Sequence, residues 1–105
     1  MKYGLPDQTI EKLSRVFSRY PQIGKVVLYG SRAKGNFKNG SDIDLTIFGT
    51  GIDEPMLVRI AAEIDDLLLP YTVDLSIFDT IENRELREHI ERVGVVFCER
   101  RVDRS

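Results

Sequence analysis

Tryptophan is absent, and cysteine and histidine occur once each. With Cys98 alone, an internal disulfide framework and a cysteine zinc site are both excluded. No run of 18 apolar residues is present and the N-terminus has no apolar signal region, so a membrane span is not expected. The simplest expectation is a soluble cytoplasmic protein. An excess of positive charge is also missing. Fifteen Lys and Arg face seventeen Asp and Glu, a formal net charge of −2. General nucleic-acid binding draws its affinity from phosphate neutralisation, so this balance argues against it and against a template polymerase. The Gly-x-x-x-x-Gly-Lys-Ser/Thr phosphate loop is absent, as are internal repeats, low-complexity tracts and interdomain linkers. What remains is a 105-residue chain, 42% apolar, enough for one domain and one core (residues 1–105) and too little for a second, substrate-binding domain.

Periodicity divides the chain into alternating helices and strands. After Pro6, residues 7–20 carry Ile10, Leu13, Val16, Phe17 and Tyr20 at helical steps, with Asp7 as the expected N-cap. Residues 25–29 form a short β-rich run ending at Gly30. Residues 31–35 then read as a turn entering a short helix, and 36–40 as a polar loop. Residues 42–48 alternate, with Ile43, Leu45 and Ile47 on one face and Asp42, Asp44 and Thr46 on the other. A helix from about Glu54 carries the apolar stripe Leu57, Ile60, Ala61, Ile64, Leu67 and Leu68. Residues 72–78 alternate again, presenting Thr72, Asp74 and Ser76 on the polar side. A helix over 81–93, a strand over 95–98 and a frayed, charged tail over 99–105 complete the chain. The expected fold class is α/β (α+β), one mixed sheet of about four strands with helices packed mainly on one face. The polar sides of two strands suggest that the other face is open.

Chemistry concentrates between residues 30 and 74. Asp42 and Asp44 share a strand face, where like charges repel unless a cation or water screens them. Asp74 sits in an identical alternation, so all three converge if the two strands are neighbours. Hard carboxylate oxygens suit magnesium, which keeps waters and takes substrate phosphates as further ligands. A lone Asp-x-Asp is commonly just a solvated strand face. Three aspartates on two such faces, although aspartate is a poor strand former, favour a site. Upstream, Gly30 allows a sharp turn and Ser31 opens the short helix. Free N–H groups and a hydroxyl there attract anions, with Arg32, Lys34 and Lys38 adding positive charge.

Gly30-Ser31, then Ser41-Asp42-Ile43-Asp44-Leu45, then an apolar-flanked Asp74, resembles the nucleotidyltransferase fold of the DNA polymerase β superfamily. More closely, the chain resembles the prokaryotic minimal nucleotidyltransferases, over nearly its whole length and with its motif core at residues 25–78. The resemblance implies that Gly30 and Ser31 hold a triphosphate; Arg32 and Lys34 join them as expected cofactor-binding residues on their charge alone, and Arg32 departs from the aromatic residue some antitoxin members carry there. It implies that Asp42 and Asp44 bind two magnesium ions and that Asp74 ligates the one activating the acceptor hydroxyl. A nucleoside monophosphate, AMP from ATP, would pass to that hydroxyl. It further implies a HEPN-domain protein as partner, adenylylated by this chain as the antitoxin of a toxin–antitoxin pair, with a homodimer or hetero-oligomer open. Two rival readings stand beside it: a non-catalytic module that neutralises its HEPN partner by occlusion, and a small-molecule nucleotidyltransferase.

Other chemistry-bearing residues read as structural. His89, off the apolar stripe of its helix, is expected to be a surface or structural histidine, and Cys98 a small buried hydrophobe. Tyr29 reads as core. Phe37, in a polar loop, is equally an exposed lip or a partner contact.

Overall fold

Four strands and four helices form from these patterns in the structure, a computed structural model that describes residues 1–100. In chain order they are α1 (Asp7–Ser18), β1 (Ile23–Tyr29), α2 (Gly30–Lys34), β2 (Ile43–Gly49), α3 (Glu54–Asp65), β3 (Val73–Ile77), α4 (Arg84–Val93) and β4 (Val95–Glu99). The sheet order is β3-β2-β1-β4. β1 is antiparallel to β2 and β4, whereas β2 and β3, joined through α3, run parallel. The sheet is therefore mixed, as expected.

One face carries the main core. Val26 and Leu28 of β1 and Ile43, Leu45 and Ile47 of β2 pack with Leu13, Val16 and Phe17 of α1 and Ile60 and Ile64 of α3. The opposite face is not wholly open. Val27 and Tyr29 pack there with Phe78 and with Ile90 of α4. The reason lies in β1: Val26-Val27-Leu28-Tyr29 is apolar on both sides, so a single helical layer cannot bury it. Only β2 and β3 offer a polar second face, and that half stays uncovered by α1 and α3.

Several boundaries move for identifiable reasons. Pro6, not Asp7, occupies the N-cap of α1, leaving Asp7 in the first turn beside the positive helix end. α4 begins three residues later than its pattern suggested. Asn83 caps it through its side-chain oxygen, which accepts from Leu86 N–H at 3.0 Å, and Phe78–Thr80 form a 3-10 turn instead. α3 stops at Asp65, so Leu68 falls off its stripe, with φ +54° and 86% exposure. The tail expected to fray from residue 99 is held at its start. Glu99 belongs to β4, and Arg100 donates its N–H to Gly24 O at 2.9 Å and its guanidinium to Tyr20 O. The rest of that tail, 101–105, lies outside the described residues. Among the described residues no helix is long and apolar enough to cross a membrane.

The N-terminal turn carries core that periodicity did not reveal. Lys2 and Leu5 exchange backbone hydrogen bonds of 3.2 and 2.8 Å, and Leu5 is fully buried in the main core. Truncating it leaves a cavity under α1 that the packed surroundings cannot refill. Leu5→Ala is expected to cost about 2–4 kcal/mol of stability, read as a lower midpoint with unchanged slope in urea denaturation.

Candidate active site

β1 ends where the chain must turn, and Gly30 takes φ +75° there, a conformation costly for any residue with a Cβ. A Cβ at Gly30 would also overlap Oδ2 of Asp44. The bare backbone thus lets the carboxylate lie directly against the turn. Ser31 follows as the second residue of α2, and no side chain caps that helix's N-terminus.

The sheet register then assembles the carboxylates. Asp44 is opposite Tyr29 of β1 and opposite Asp74 of β3, so all three side chains share one face. One step along, Thr46 is opposite Ser76, and Ser76 Oγ donates to Thr46 Oγ1 at 2.9 Å. Asp42, just before β2, is exposed, as is Asp74, whereas Asp44 is half-buried. Burial pushes the Asp44 carboxyl upward, and the neighbouring charges of Asp74 and Asp42 push it further. Burial likewise raises the Tyr29 phenol, with Asp74 and Asp44 reinforcing the effect and the Ser76 hydroxyl opposing it. Three acids and a phenol therefore form one electrostatic unit.

Its chemistry fits a hard cation. The like-charge repulsion concentrated on Asp44 is what a bound cation relieves, and every candidate ligand is an oxygen. Among the described residues, no three His, Cys, Asp or Glu side chains are already gathered closely enough to enclose an ion. Magnesium needs no such cage, since waters and substrate phosphates complete its shell.

The basic residues separate. Lys34 is exposed in the last turn of α2, and Lys38 is exposed in the following loop. Arg32, expected to grip phosphate, does something else. It is 3% exposed, and its guanidinium donates to Ser41 O at 2.8 and 3.1 Å and to Tyr3 O at 2.9 Å. Its Nε, Nη1 and Nη2 each donate to a backbone carbonyl of a half-buried residue. The spacing Gly-Ser-Arg could not show this, because its partners lie nine and twenty-nine residues away.

Tyr29 is buried as expected, and His89 of α4 stands edge-on to its ring at 6.2 Å. Phe37 is no exposed lip: its ring covers Gly4 and stacks with Arg32. Cys98 lies elsewhere, in a cleft of about 370 Å³ between α1 and β4 that holds none of the three aspartates, and burial raises its thiol. Sequence reasoning passed over the Thr46–Ser76 hydroxyl pair. The signal was present, since both residues follow an aspartate by two on the same polar strand face.

Comparison with known proteins agrees with this fold. The family described as "Polymerase beta, Nucleotidyltransferase" matches residues 11–103. No curated protein matches the chain. Among solved structures, a toxin–antitoxin complex with AMP-PNP superposes with a TM-score of 0.69 at 23% identity, covering 91% of this chain and 75% of that one. The MntA-HepT toxin–antitoxin superposes with a TM-score of 0.68 at 16% identity, covering 90% of this chain and 74% of that one. A tri-AMPylated HEPN toxin of Shewanella oneidensis in complex with its MNT antitoxin gives 0.66 at 17% identity, covering 89% and 71%. At these identities the likeness is one of fold.

Proposed function

The chain belongs to the polymerase β nucleotidyltransferase family, and from that premise we propose that it transfers AMP from ATP to a hydroxyl on a HEPN-domain partner, as the antitoxin of a toxin–antitoxin pair. The observation that carries this reading is the pairing of Asp44 with Asp74 on one sheet face, with Asp44 pressed against the Gly30 turn and Asp42 near enough to raise the Asp44 carboxyl. The solved relatives described as an AMP-PNP complex and as a tri-AMPylated HEPN toxin with its MNT antitoxin support the nucleotide and the partner. The reading treats the chain as one catalytic domain.

Each residue then has a task. The Gly30-Ser31 turn binds the triphosphate through backbone N–H groups and the Ser31 hydroxyl. Lys34, exposed beside it, draws the pyrophosphate charge outward. Asp42, Asp44 and Asp74 hold magnesium, two ions in this reading, which when bound polarises the α-phosphate and lowers the cost of ionising the hydroxyl. Asp74, the exposed acid of the parallel pair, faces the incoming acceptor and takes its proton. The acceptor oxygen forms a bond to the α-phosphorus as the bond from that phosphorus to the bridging oxygen breaks, and pyrophosphate leaves. In this reading the acceptor hydroxyl belongs to the partner.

The test is incubation with ATP labelled at the α-phosphate, magnesium and a HEPN-domain protein encoded beside this chain. Label on the partner that disappears with Asp44→Asn supports the proposal. No label with any nucleotide or divalent metal overturns it, and toxin neutralisation that survives Asp42→Ala and Asp44→Ala reduces the protein to an occluding partner.

A further inference from the structure

We propose that Arg32 is a positioning residue that locks the phosphate-binding turn to the aspartate-bearing strand, setting the separation between Ser31 and Asp42. The inference deepens the nucleotidyltransferase reading and rests on it.

The two halves of the site are joined by a loop with little to hold it. Gly35 and Gly40 both take left-handed backbone, at φ +86° and +83°, and neither has any atom within 4 Å of where a Cβ would stand. The loop's own hydrogen bonds are short-range: Ser41 N–H to Lys38 O at 3.0 Å, and Lys38 N–H to Ser41 Oγ at 2.9 Å. Such a segment samples many conformations unless something spans it.

Arg32 spans it. The residue immediately follows Ser31, and its Nε and Nη2 both reach the carbonyl of Ser41, the residue immediately before Asp42. Nη1 holds Tyr3 O, which ties the same guanidinium to the N-terminal turn. The ring centroids of Phe37 and Tyr71 lie 5.2 and 5.1 Å from its Cζ, and the two rings restrict the guanidinium's orientation. Among the described residues no carboxylate pairs with this buried charge. Burying an unpaired guanidinium is costly, and an apolar side chain would fill the same space more cheaply. A flat fork with donors on two sides does what neither an apolar residue nor lysine does: it bridges two carbonyls in a set geometry.

The experiment separates positioning from simple stability. Manganese binding to the full chain is titrated by electron paramagnetic resonance, and amide exchange is followed over residues 36–42. Arg32→Lys retains the charge but bridges only one carbonyl. It is expected to weaken manganese binding about 10-fold or more, the range typical of groups that orient metal ligands, and to speed exchange in 36–42 alone. Val16→Ala, in the core under α1, serves as the control: it lowers stability and leaves manganese affinity unchanged. Where Arg32→Lys does not fold, Tyr71→Leu unstacks the guanidinium without removing it and is expected to move the same two readouts in the same direction. Wild-type manganese affinity in a destabilised Arg32 or Tyr71 variant overturns the inference and leaves the nucleotidyltransferase reading standing. A wild-type protein that binds no manganese and transfers no nucleotide overturns both.

Discussion

Asp44→Asn is expected to lower nucleotide transfer by about 10³-fold or more while making the ligand-free protein slightly more stable. The first effect follows from position. Asp44 stands between Tyr29 and Asp74 in the register and against the Gly30 turn, so it is the carboxylate that joins the proposed phosphate turn to Asp74. Replacing a charged oxygen pair at such a centre removes the main stabilisation of developing charge, a loss of several kcal/mol. The second effect follows from burial and repulsion, which raise the Asp44 carboxyl above its ordinary value of 3.8. A raised acid binds its proton more tightly in the folded than in the unfolded state. Stability from this group therefore falls as pH rises from 3.8 through the raised value, and the ionised form is a liability at neutral pH. The amide removes that liability. Because Asp44 is only half-buried and solvent screens it, the gain is about 0.5 kcal/mol, or about 2–4 °C in Tm. Calorimetry at pH 7 and at pH 4.5 checks it: the difference between Asp44→Asn and wild type should shrink at the lower pH. A variant that is less stable than wild type at pH 7 would contradict the electrostatic account of the site.

Gly30→Ala carries the second largest effect, and its signature differs. The left-handed backbone at φ +75° costs alanine about 1–2 kcal/mol. The added methyl also overlaps Asp44 Oδ2, the movable end of a side chain rather than fixed backbone. The fold can relieve the overlap by turning the carboxylate away, so chemistry suffers more than stability. Transfer is expected to fall about 10²-fold, the scale of a displacement of about 1 Å in a catalytic group. In the double variant Gly30→Ala with Asp44→Asn the two activity losses should not add, because the methyl acts on the group already removed. Strict additivity would show that Gly30 serves only the turn and not the carboxylate beside it.

Much of this site was legible before any fold was known, and the parts that were not share a cause. Asp42, Asp44 and Asp74 stood out because strand alternation is local: residues two apart face the same way whatever lies beside the strand. That β2 and β3 are parallel neighbours with Asp44 opposite Asp74 followed from the α3 crossover, which alternation alone does not specify. The packing of α4 on the second face was not foreseen, because which helix covers the apolar second side of β1 depends on the whole fold. Leu5 was missed because a four-residue turn has no period to detect.

The chain's own residues, then, determined its strands, its glycine-serine turn and the acid-bearing faces, all features set by neighbours within a few positions. Arg32 shows what they leave undetermined. A basic residue after Gly-Ser reads as a phosphate ligand on local grounds, and only the folded chain brings Tyr3, Phe37, Ser41 and Tyr71 around it. Those contacts span up to 39 positions, from Arg32 to Tyr71. Which groups meet across such distances depends on how the whole sheet and its helices bury their apolar surface. That is why only the tertiary structure decided which carbonyls and rings surround the Arg32 guanidinium.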